Sequence, residues 1–257
     1  MTPALSLNQR QQDLLGWVQR EGFASVEALA NHFGVTHQTI RRDINQLADL
    51  KLIRRYHGGA GIPSSVENVA YSARQVLFHD EKRRIAKLVA QHIPDNASLI
   101  INIGTTTEEV AKALSRHRGL RVITNNLNVA AAMCGNPESE VIIAAGVVRP
   151  RDRGITGEAT IDFIRQFKVD YGIIGISGIE QDGTLRDFDY REVRVAEAII
   201  AQSRQVYLVA DHSKFGRPSL VRLGHLSQVS ALFTDQPIPS DMTQVFAEAR
   251  TVVHVAA

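Results

Sequence analysis

Between Thr36 and Leu47 the chain sets His37, Gln38, Thr39, Arg41, Arg42 and Asn45 among Ile40, Ile44 and Leu47. The three apolar residues recur at helical spacing and predict one buried stripe, which leaves the polar ones on the other faces. Arginine, asparagine and glutamine can each form paired hydrogen bonds with base edges, and arginine also neutralises phosphates. Thr36 stands where a hydroxyl caps the first free N–H groups of a helix. This is chemistry for reading duplex DNA, set on a helix that a major groove accepts.

A second group of polar residues recurs at regular places further along. Gly104-Thr105-Thr106-Thr107, Asn125-Asn126, Gly146, Ser177-Gly178 and Asp211-His212-Ser213-Lys214 each follow a short apolar run. Glycine lets a backbone approach a ligand closely, and threonine hydroxyls donate. A helix start adds free N–H groups, so Gly104, Thr105, Thr106 and Thr107 suit a phosphate. Taken alone, such a stretch is also an ordinary helix start. Lys214, arriving from another run, supplies a fixed positive charge, although a lysine there also reads as surface. Asp187, Asp189 and Glu192 either engage ligand hydroxyls or form a solvent-facing acidic cluster. Asp182-Gly183 reads as a turn. The nine histidines show no zinc-ligand spacing, and no Gly-x-Ser-x-Gly elbow or catalytic triad is present. Asp182 with Lys214 is the one acid/base pair that could be nominated, so no catalytic residue is assigned.

These residues need elements to hold them. A first helix is expected over residues 7–20, with Leu14, Leu15 and Val18 inward and Gly22 ending it. A second runs from Val26 to Phe33, started by Ser25 with Glu27 behind it. Gly34-Val35 turns the chain into the Thr36–Leu47 helix, which completes a helix-turn-helix. Residues 52–56 followed by His57-Gly58-Gly59-Ala60 read as a β-wing, with Arg54 and Arg55 near the phosphate backbone. Gly58-Gly59 reads equally as an interdomain turn. Residues 61–69, with Pro63, Ser64 and Ser65, read as linker. Asp80 is expected to cap a helix reaching His92, with Ile85, Leu88 and Val89 inward and Lys82, Arg83, Arg84 and Lys87 solvated.

Strands are then expected at residues 98–103, 121–124, 141–145, 171–175, 205–210 and 231–234. Helices are expected at 107–116, 127–133, 158–166, 190–202 and 241–250. Strand–helix alternation with nearly continuous apolar strands implies a mostly parallel sheet covered on both faces. The carboxyl ends of parallel strands open on one edge, so all five polar turns converge there. The domain organisation expected is therefore 1–60 for DNA binding, 61–79 as linker, and 80–257 for effector binding and oligomerisation.

Composition is compatible with this. The 257 residues are 44% hydrophobic and 22% charged, with a formal charge of +2. Positive charge is concentrated: residues 36–57 hold Arg41, Arg42, Lys51, Arg54 and Arg55 against Asp43 and Asp49, whereas beyond Ala60 there are 22 residues of each sign. The lone Cys134 excludes an intramolecular disulfide and suits a reducing cytoplasm. No apolar run approaches membrane-spanning length, which excludes a helical membrane protein.

The order of motifs resembles the DeoR family of bacterial repressors. It is carried by Arg10, Leu14, Val18, then Thr36-His37-Gln38-Thr39-Ile40-Arg41-Arg42-Asp43-Ile44 and His57-Gly58-Gly59-Ala60. It continues through Glu81-Lys82-Arg83-Arg84-Ile85-Ala86, Ile103-Gly104-Thr105-Thr106, Thr124-Asn125-Asn126-Leu127-Asn128-Val129-Ala130, Gly175-Ile176-Ser177-Gly178-Ile179 and Asp211-His212-Ser213-Lys214-Phe215-Gly216. The resemblance implies a winged helix-turn-helix joined to a sugar-phosphate sensor similar in fold to ribose-5-phosphate isomerases and glucosamine-phosphate deaminases. It implies a homo-oligomer, commonly a tetramer, that leaves operator DNA when a phosphorylated sugar or polyol binds, with no cofactor. Gly157 to Phe167 and Asp187-Phe188-Asp189-Tyr190-Arg191-Glu192-Val193-Arg194 resemble the branch that governs glycerol and glycerol-phosphate genes, which makes glycerol 3-phosphate the expected effector. The family's usual Asp is Asn102 here, which gains a donor and loses a negative charge.

On this reading Thr36, His37, Gln38, Thr39, Arg41, Arg42, Asn45, Arg54 and Arg55 meet DNA. Asn102, Gly104, Thr105, Thr106, Thr107, Asn125, Asn126, Gly146, Ser177, Gly178, Asp189 and Lys214 meet the effector. The alternatives are a response to another sugar phosphate, an active sugar-phosphate isomerase or deaminase with a DNA-binding attachment, and an architectural DNA-binding protein with no small ligand.

Overall fold

In the computed structural model, residues 7–21, 23–50, 52–56, 58–61 and 71–256 are described, and the chain divides into two units, Met1–Leu77 and Phe78–Ala257. The first unit is built by local signals acting in sequence. Helix α1 (Gln9–Glu21) is followed by strand β1 (Phe23–Ser25) and helix α2 (Val26–Phe33), whose start is capped where Ser25 Oγ accepts the Ala28 N–H at 3.0 Å. Gly34 ends α2 in the left-handed region at φ 62°, a conformation that glycine adopts without steric cost. Helix α3 (His37–Asp49) begins where Thr36 Oγ1 accepts the Thr39 N–H at 3.2 Å. Leu14, Leu15, Val18, Leu29, Ile40, Ile44 and Leu47 bury fully where the three helices meet.

Strands β2 (Arg54–Tyr56) and β3 (Gly59–Gly61) complete the wing, and β3 lies between β1 and β2 in an antiparallel sheet. Leu52 and Ile53, expected in the wing strand, precede it and are buried. Gly59 settles one ambiguity left by the sequence. A Cβ at this position would collide with the Ala24 carbonyl and the Phe23 ring, so its role is packing within the wing. Gly22, Lys51 and His57 lie outside the described residues.

The expected linker needs correcting. Residues 62–70 lie outside the described residues, but Tyr71–Val76 forms helix α4, and the second unit starts at Phe78. Helix α5 (His79–Gln91) is not capped by Asp80. Phe78 occupies the cap position at φ 51° with no side-chain cap, and Asp80 falls in the first turn, where a carboxylate meets the positive helix end. Lys82 is corrected too: it is 2% exposed, not solvated.

The second unit then follows in order. Strand β4 (Ser98–Ile101), helix α6 (Thr105–Ala113), β5 (Arg121–Thr124), α7 (Leu127–Met133) and β6 (Glu140–Ile143) come first. A short antiparallel pair, β7 (Val147–Val148) and β8 (Ile155–Thr156), leads into α8 (Glu158–Ile164) and β9 (Val169–Gly175). Next come β10 (Gly178–Ile179), β11 (Thr184–Asp187), α9 (Tyr190–Ala201), β12 (Ser203–Val209) and β13 (Val221–His225). The chain closes through β14 (Ala231–Thr234), α10 (Thr243–Ala249) and β15 (Val252–Val255).

Seven strands form one sheet in the order β15-β14-β12-β9-β4-β5-β6, with all neighbouring strands parallel. Two apolar clusters cover it. One gathers Ile100, Ile174, Val195, Ile199 and Leu208, the other Ile85, Val89, Leu99, Ile101, Val110 and Phe233. Alternate residues of β4 thus enter opposite layers, the period-2 geometry of a strand buried on both faces. A separate antiparallel ribbon, β10-β11-β13, lies outside this sheet and the sequence reading does not contain it.

Candidate functional site

On α3, Thr36, His37, Gln38, Arg41, Arg42 and Asn45 are exposed, and Thr39 is half-buried with its hydroxyl 2.9 Å from that of Thr36. Arg54 and Arg55 are exposed on the wing, and Arg55 Nη1 donates to Asn45 Oδ1 at 3.1 Å. This bond ties the wing to α3 and brings Arg55 beside Asn45. Thr36, Gln38, Thr39, Arg41, Arg42 and Asn45 line a concavity of about 820 Å³. Asn8, Arg10, Asp43 and Gln46 line it as well. The sequence reading assigned none of these four to DNA: Asn8 and Arg10 belong to the start of α1, which was judged only by its buried face, while Asp43 and Gln46 lie on α3 among the nominated residues.

In the second unit the chain leaves β4 toward β5 and β6, then returns to place β9 on the other side of β4. Such a reversal opens a crevice at the strands' carboxyl ends. Gly104, Thr105, Thr106 and Thr107 stand at the β4 end of that crevice, and no side chain caps α6. An uncapped helix start presents N–H groups and a partial positive charge to an anion. Asn102 Oδ1 accepts the Ile103 N–H at 2.8 Å, which directs the amide's remaining capacity to donation. Asn125 is fully buried; its Nδ2 donates to the Ile155 carbonyl at 3.1 Å, while Oδ1 has no hydrogen-bond partner among the described residues. A buried acceptor left so costs about 1–3 kcal/mol.

Other nominated residues are engaged in holding the rim. Thr107 Oγ1 contacts the carbonyls of Asn102 and Gly104 at 2.8 Å each. Asn126 caps α7 through the Asn128 N–H at 2.9 Å and donates to Glu108 at 3.1 Å. Gly146 lies against Thr160, and Gly178 against the Arg217 carbonyl, each too closely for a Cβ. Ser177 Oγ donates to Asp187 at 2.9 Å. Asp189 caps α9 through the Arg191 N–H at 2.9 Å and pairs with Arg149 at 3.2 Å and Arg151 at 2.9 Å. The acidic group is therefore neither free toward a ligand nor simply solvated. Arg149 also binds Glu192, and it meets Asp152 at 2.6 Å. Burial and Asp187 raise the Glu192 carboxyl above its ordinary range, against the pull of Arg149.

The strongest positive feature lies at the β12 end. Asp211 is fully buried and Lys214 Nζ stands 3.6 Å from it. Burial by itself raises the Asp211 carboxyl, but Lys214, Lys82, the Ser213 hydroxyl and His212 outweigh it and hold the group far below the usual carboxylate range. Two lysines thus share one buried carboxylate. Beside them His212 presents its backbone N–H and ring Nδ1 to Asp235, each at 2.7 Å. Burial lowers the His212 pKa, yet the bond to Asp235 and its charge, with Asp211 and Glu81, carry it above the ordinary value. Asp182, the nominated partner of Lys214 in acid/base chemistry, accepts the Thr184 N–H at 2.9 Å in the β10–β11 turn and lies against His225. Lys82 and Arg149 were missed because nothing local marks a lysine or arginine that tertiary packing will bury.

Comparison with known proteins decides what these two surfaces belong to. Residues 10–66 match the DeoR-like helix-turn-helix domain, and residues 77–236 match the DeoR C-terminal sensor domain. The chain belongs to the DeoR family. It is a DNA-binding repressor of that family, and the sensor match takes in the whole rim from Lys82 to Asp235. The glycerol-3-phosphate regulon repressor of Escherichia coli strain K12 is 50% identical to it over 240 residues, covering 93% of this chain and 95% of that one. The repressor of the same name from Haemophilus influenzae is 50% identical over 242 residues, 94% of each chain. The HTH-type transcriptional repressor CsqR of Escherichia coli strain K12 is 42% identical over 236 residues, 92% of this chain and 90% of that one. Among solved structures, ribose 5 phosphate isomerase A from Neisseria gonorrhoeae overlaps 55% of this DeoR-family chain and 54% of its own, at 14% identity and a TM-score of 0.39. Among the described residues, no helix is long and apolar enough to cross a membrane, and no group of His, Cys, Asp or Glu is arranged to hold a metal ion.

Proposed function

We propose that this repressor governs glycerol and glycerol-3-phosphate metabolism genes and leaves its operator when glycerol 3-phosphate occupies the rim. The observation that carries the proposal is the Lys82–Asp211–Lys214 cluster, one buried and one largely buried cation against one buried carboxylate. A phosphate dianion competes with Asp211 for those lysines and gains more than it would from exposed ones, because buried charges are screened less. Lys214 follows β12, two strands from Gly104 after β4, a separation of about 10 Å. One small phosphate ester can therefore meet both ends. Asn102 as a donor and Asn125 Oδ1 as an unmet acceptor suit the hydroxyls of a polyol. The two relatives at 50% identity, both named for the glycerol-3-phosphate regulon, support this ligand over other sugar phosphates.

Thermal shift of the full chain against glycerol 3-phosphate, glycerol, inorganic phosphate and a sugar-phosphate panel tests it. Glycerol 3-phosphate is expected to stabilise the sensor unit by about 2.7 kcal/mol at a hundred times its dissociation constant. Glycerol alone should leave the melt unchanged, and Lys214→Met should abolish the shift. Stronger stabilisation by another sugar phosphate would reassign the effector. The same reading expects a homo-oligomer, a tetramer, and sedimentation velocity at micromolar concentration checks that count.

A further inference from the structure

Asp43 sits in the middle of the DNA-reading helix, next to Arg41 and Arg42, where a carboxylate repels phosphates. Its side chain is 4% exposed and is held from α1: Arg10 Nε meets Asp43 Oδ2 at 2.7 Å, and Nη2 meets Oδ1 at 3.3 Å. Gln11 Nε2 adds a bond to Asp43 Oδ1 at 3.2 Å and one to Gln46 Oε1 at 2.5 Å. We propose that Arg10 is a positioning residue for operator recognition, fixing the rotation of α3 about its own axis and cancelling the Asp43 charge at the DNA-facing concavity.

Energetics favour this reading over a stabilising role. Arg10 is partly exposed, so its attraction for Asp43 is screened, and replacing both partners by apolar residues of similar volume is often neutral or stabilising; the pair is weak evidence for stability. Packing of α1 on α3 is already supplied by Leu14, Leu15, Val18, Ile40, Ile44 and Leu47. An apolar seam tolerates small rotations, whereas a two-point guanidinium–carboxylate contact specifies one orientation. Rotation matters because Gln38, Arg41 and Asn45 must meet base edges together, and hydrogen bonds weaken steeply with misalignment. Arg10 is itself one-third exposed and lines the same concavity as Thr36, Thr39 and Arg42.

The test uses the full chain and the duplex it selects from a randomised pool, with a scrambled duplex as control. Arg10→Lys keeps the charge and loses the two-point geometry. It should weaken the selected duplex about tenfold or more, leave the scrambled duplex within about twofold, and keep both the salt slope and the melting temperature of the parent. The double variant Arg10→Met with Asp43→Leu removes the pair without stranding a charge. It should melt at or above the parent temperature and still lose discrimination. An unchanged ratio of selected to scrambled affinity in either variant overturns the proposal. So does an equal loss on both duplexes, which would make Arg10 a plain phosphate contact. Should Arg10→Lys fail to fold, the double variant decides alone.

Discussion

Single side chains set the chemistry of both surfaces, and two substitutions separate their roles. Arg41→Ala should cost about 1–3 kcal/mol on the selected duplex and relax choice at one base position, which binding across a single-base variant panel would reveal. Uniform loss over the panel would instead assign Arg41 to the phosphate backbone. At the rim, the paired His212 titrates above its ordinary 6.5 in the folded state. Its contribution is therefore fully present below pH 6.5 and disappears as pH rises through the raised folded value. Melts taken from about pH 5.5 to 8.5 should show that loss in the parent, and His212→Gln should flatten it. A parent melt that does not fall over this range more than that of His212→Gln would contradict the assignment. At this scale, exposed polar residues on a helix with one apolar stripe were legible from spacing. Lys82, Asp43 and Arg149 were not. Their significance depends on partners 129, 33 and 43 positions away, at Asp211, Arg10 and Glu192.

Elements carry those side chains, and two of them invite perturbation. Gly59 leaves no space for a Cβ between the Ala24 carbonyl and the Phe23 ring. Gly59→Ala should destabilise the DNA-binding unit by about 1–3 kcal/mol, at about 4–8 °C of melting temperature per kcal/mol for a unit of this size. Calorimetry should show the first transition moving while that of the sensor unit stays. Helix α5 is the other. Phe78 opens it at φ 51° and packs edge-on against His212, with ring centroids 4.8 Å apart, while Lys82 one turn later acts on Asp211. The first turn of the sensor unit is thus fastened to the strand end that carries Lys214. On the proposed function, a phosphate that competes with Asp211 for Lys82 and Lys214 would act on α5, the helix that opens the sensor unit. Phe78→Ala should leave glycerol 3-phosphate binding and operator binding each within about twofold, and reduce the factor by which one weakens the other to near one. Calorimetric titration with and without the selected duplex measures that factor; a parent-like value would exclude α5 as the route.

Most of these elements were visible beforehand: β5, β14 and α7 fall on the expected bounds because apolar runs bounded by polar residues leave little choice. The edge strand β15, the β7–β8 pair and the β10-β11-β13 ribbon were not visible. They are short: β7, β8 and β10 hold two residues each, too few to show a period, while β13 and β15 depend on partners further away in sequence. The start of α5 was misplaced by two residues because Asp80 looked like a cap, whereas Phe78 occupies that position.

At the scale of the whole molecule, repression under ligand control requires only that the two units' ligands exclude one another energetically. A ligand with equal affinity for the DNA-bound and DNA-free arrangements shifts nothing. By linkage, the factor by which glycerol 3-phosphate weakens the operator must equal the factor by which the operator weakens glycerol 3-phosphate. That molecule-wide coupling was inferred from the sequence through family resemblance, since neither charge pattern nor periodicity reports communication between units. The most direct measurement is therefore a pair of titrations on the full chain: operator anisotropy with and without saturating glycerol 3-phosphate, and glycerol 3-phosphate calorimetry with and without saturating operator. The prediction is one common factor of about five or more in both. Two dissociation constants unmoved by the other ligand would contradict it.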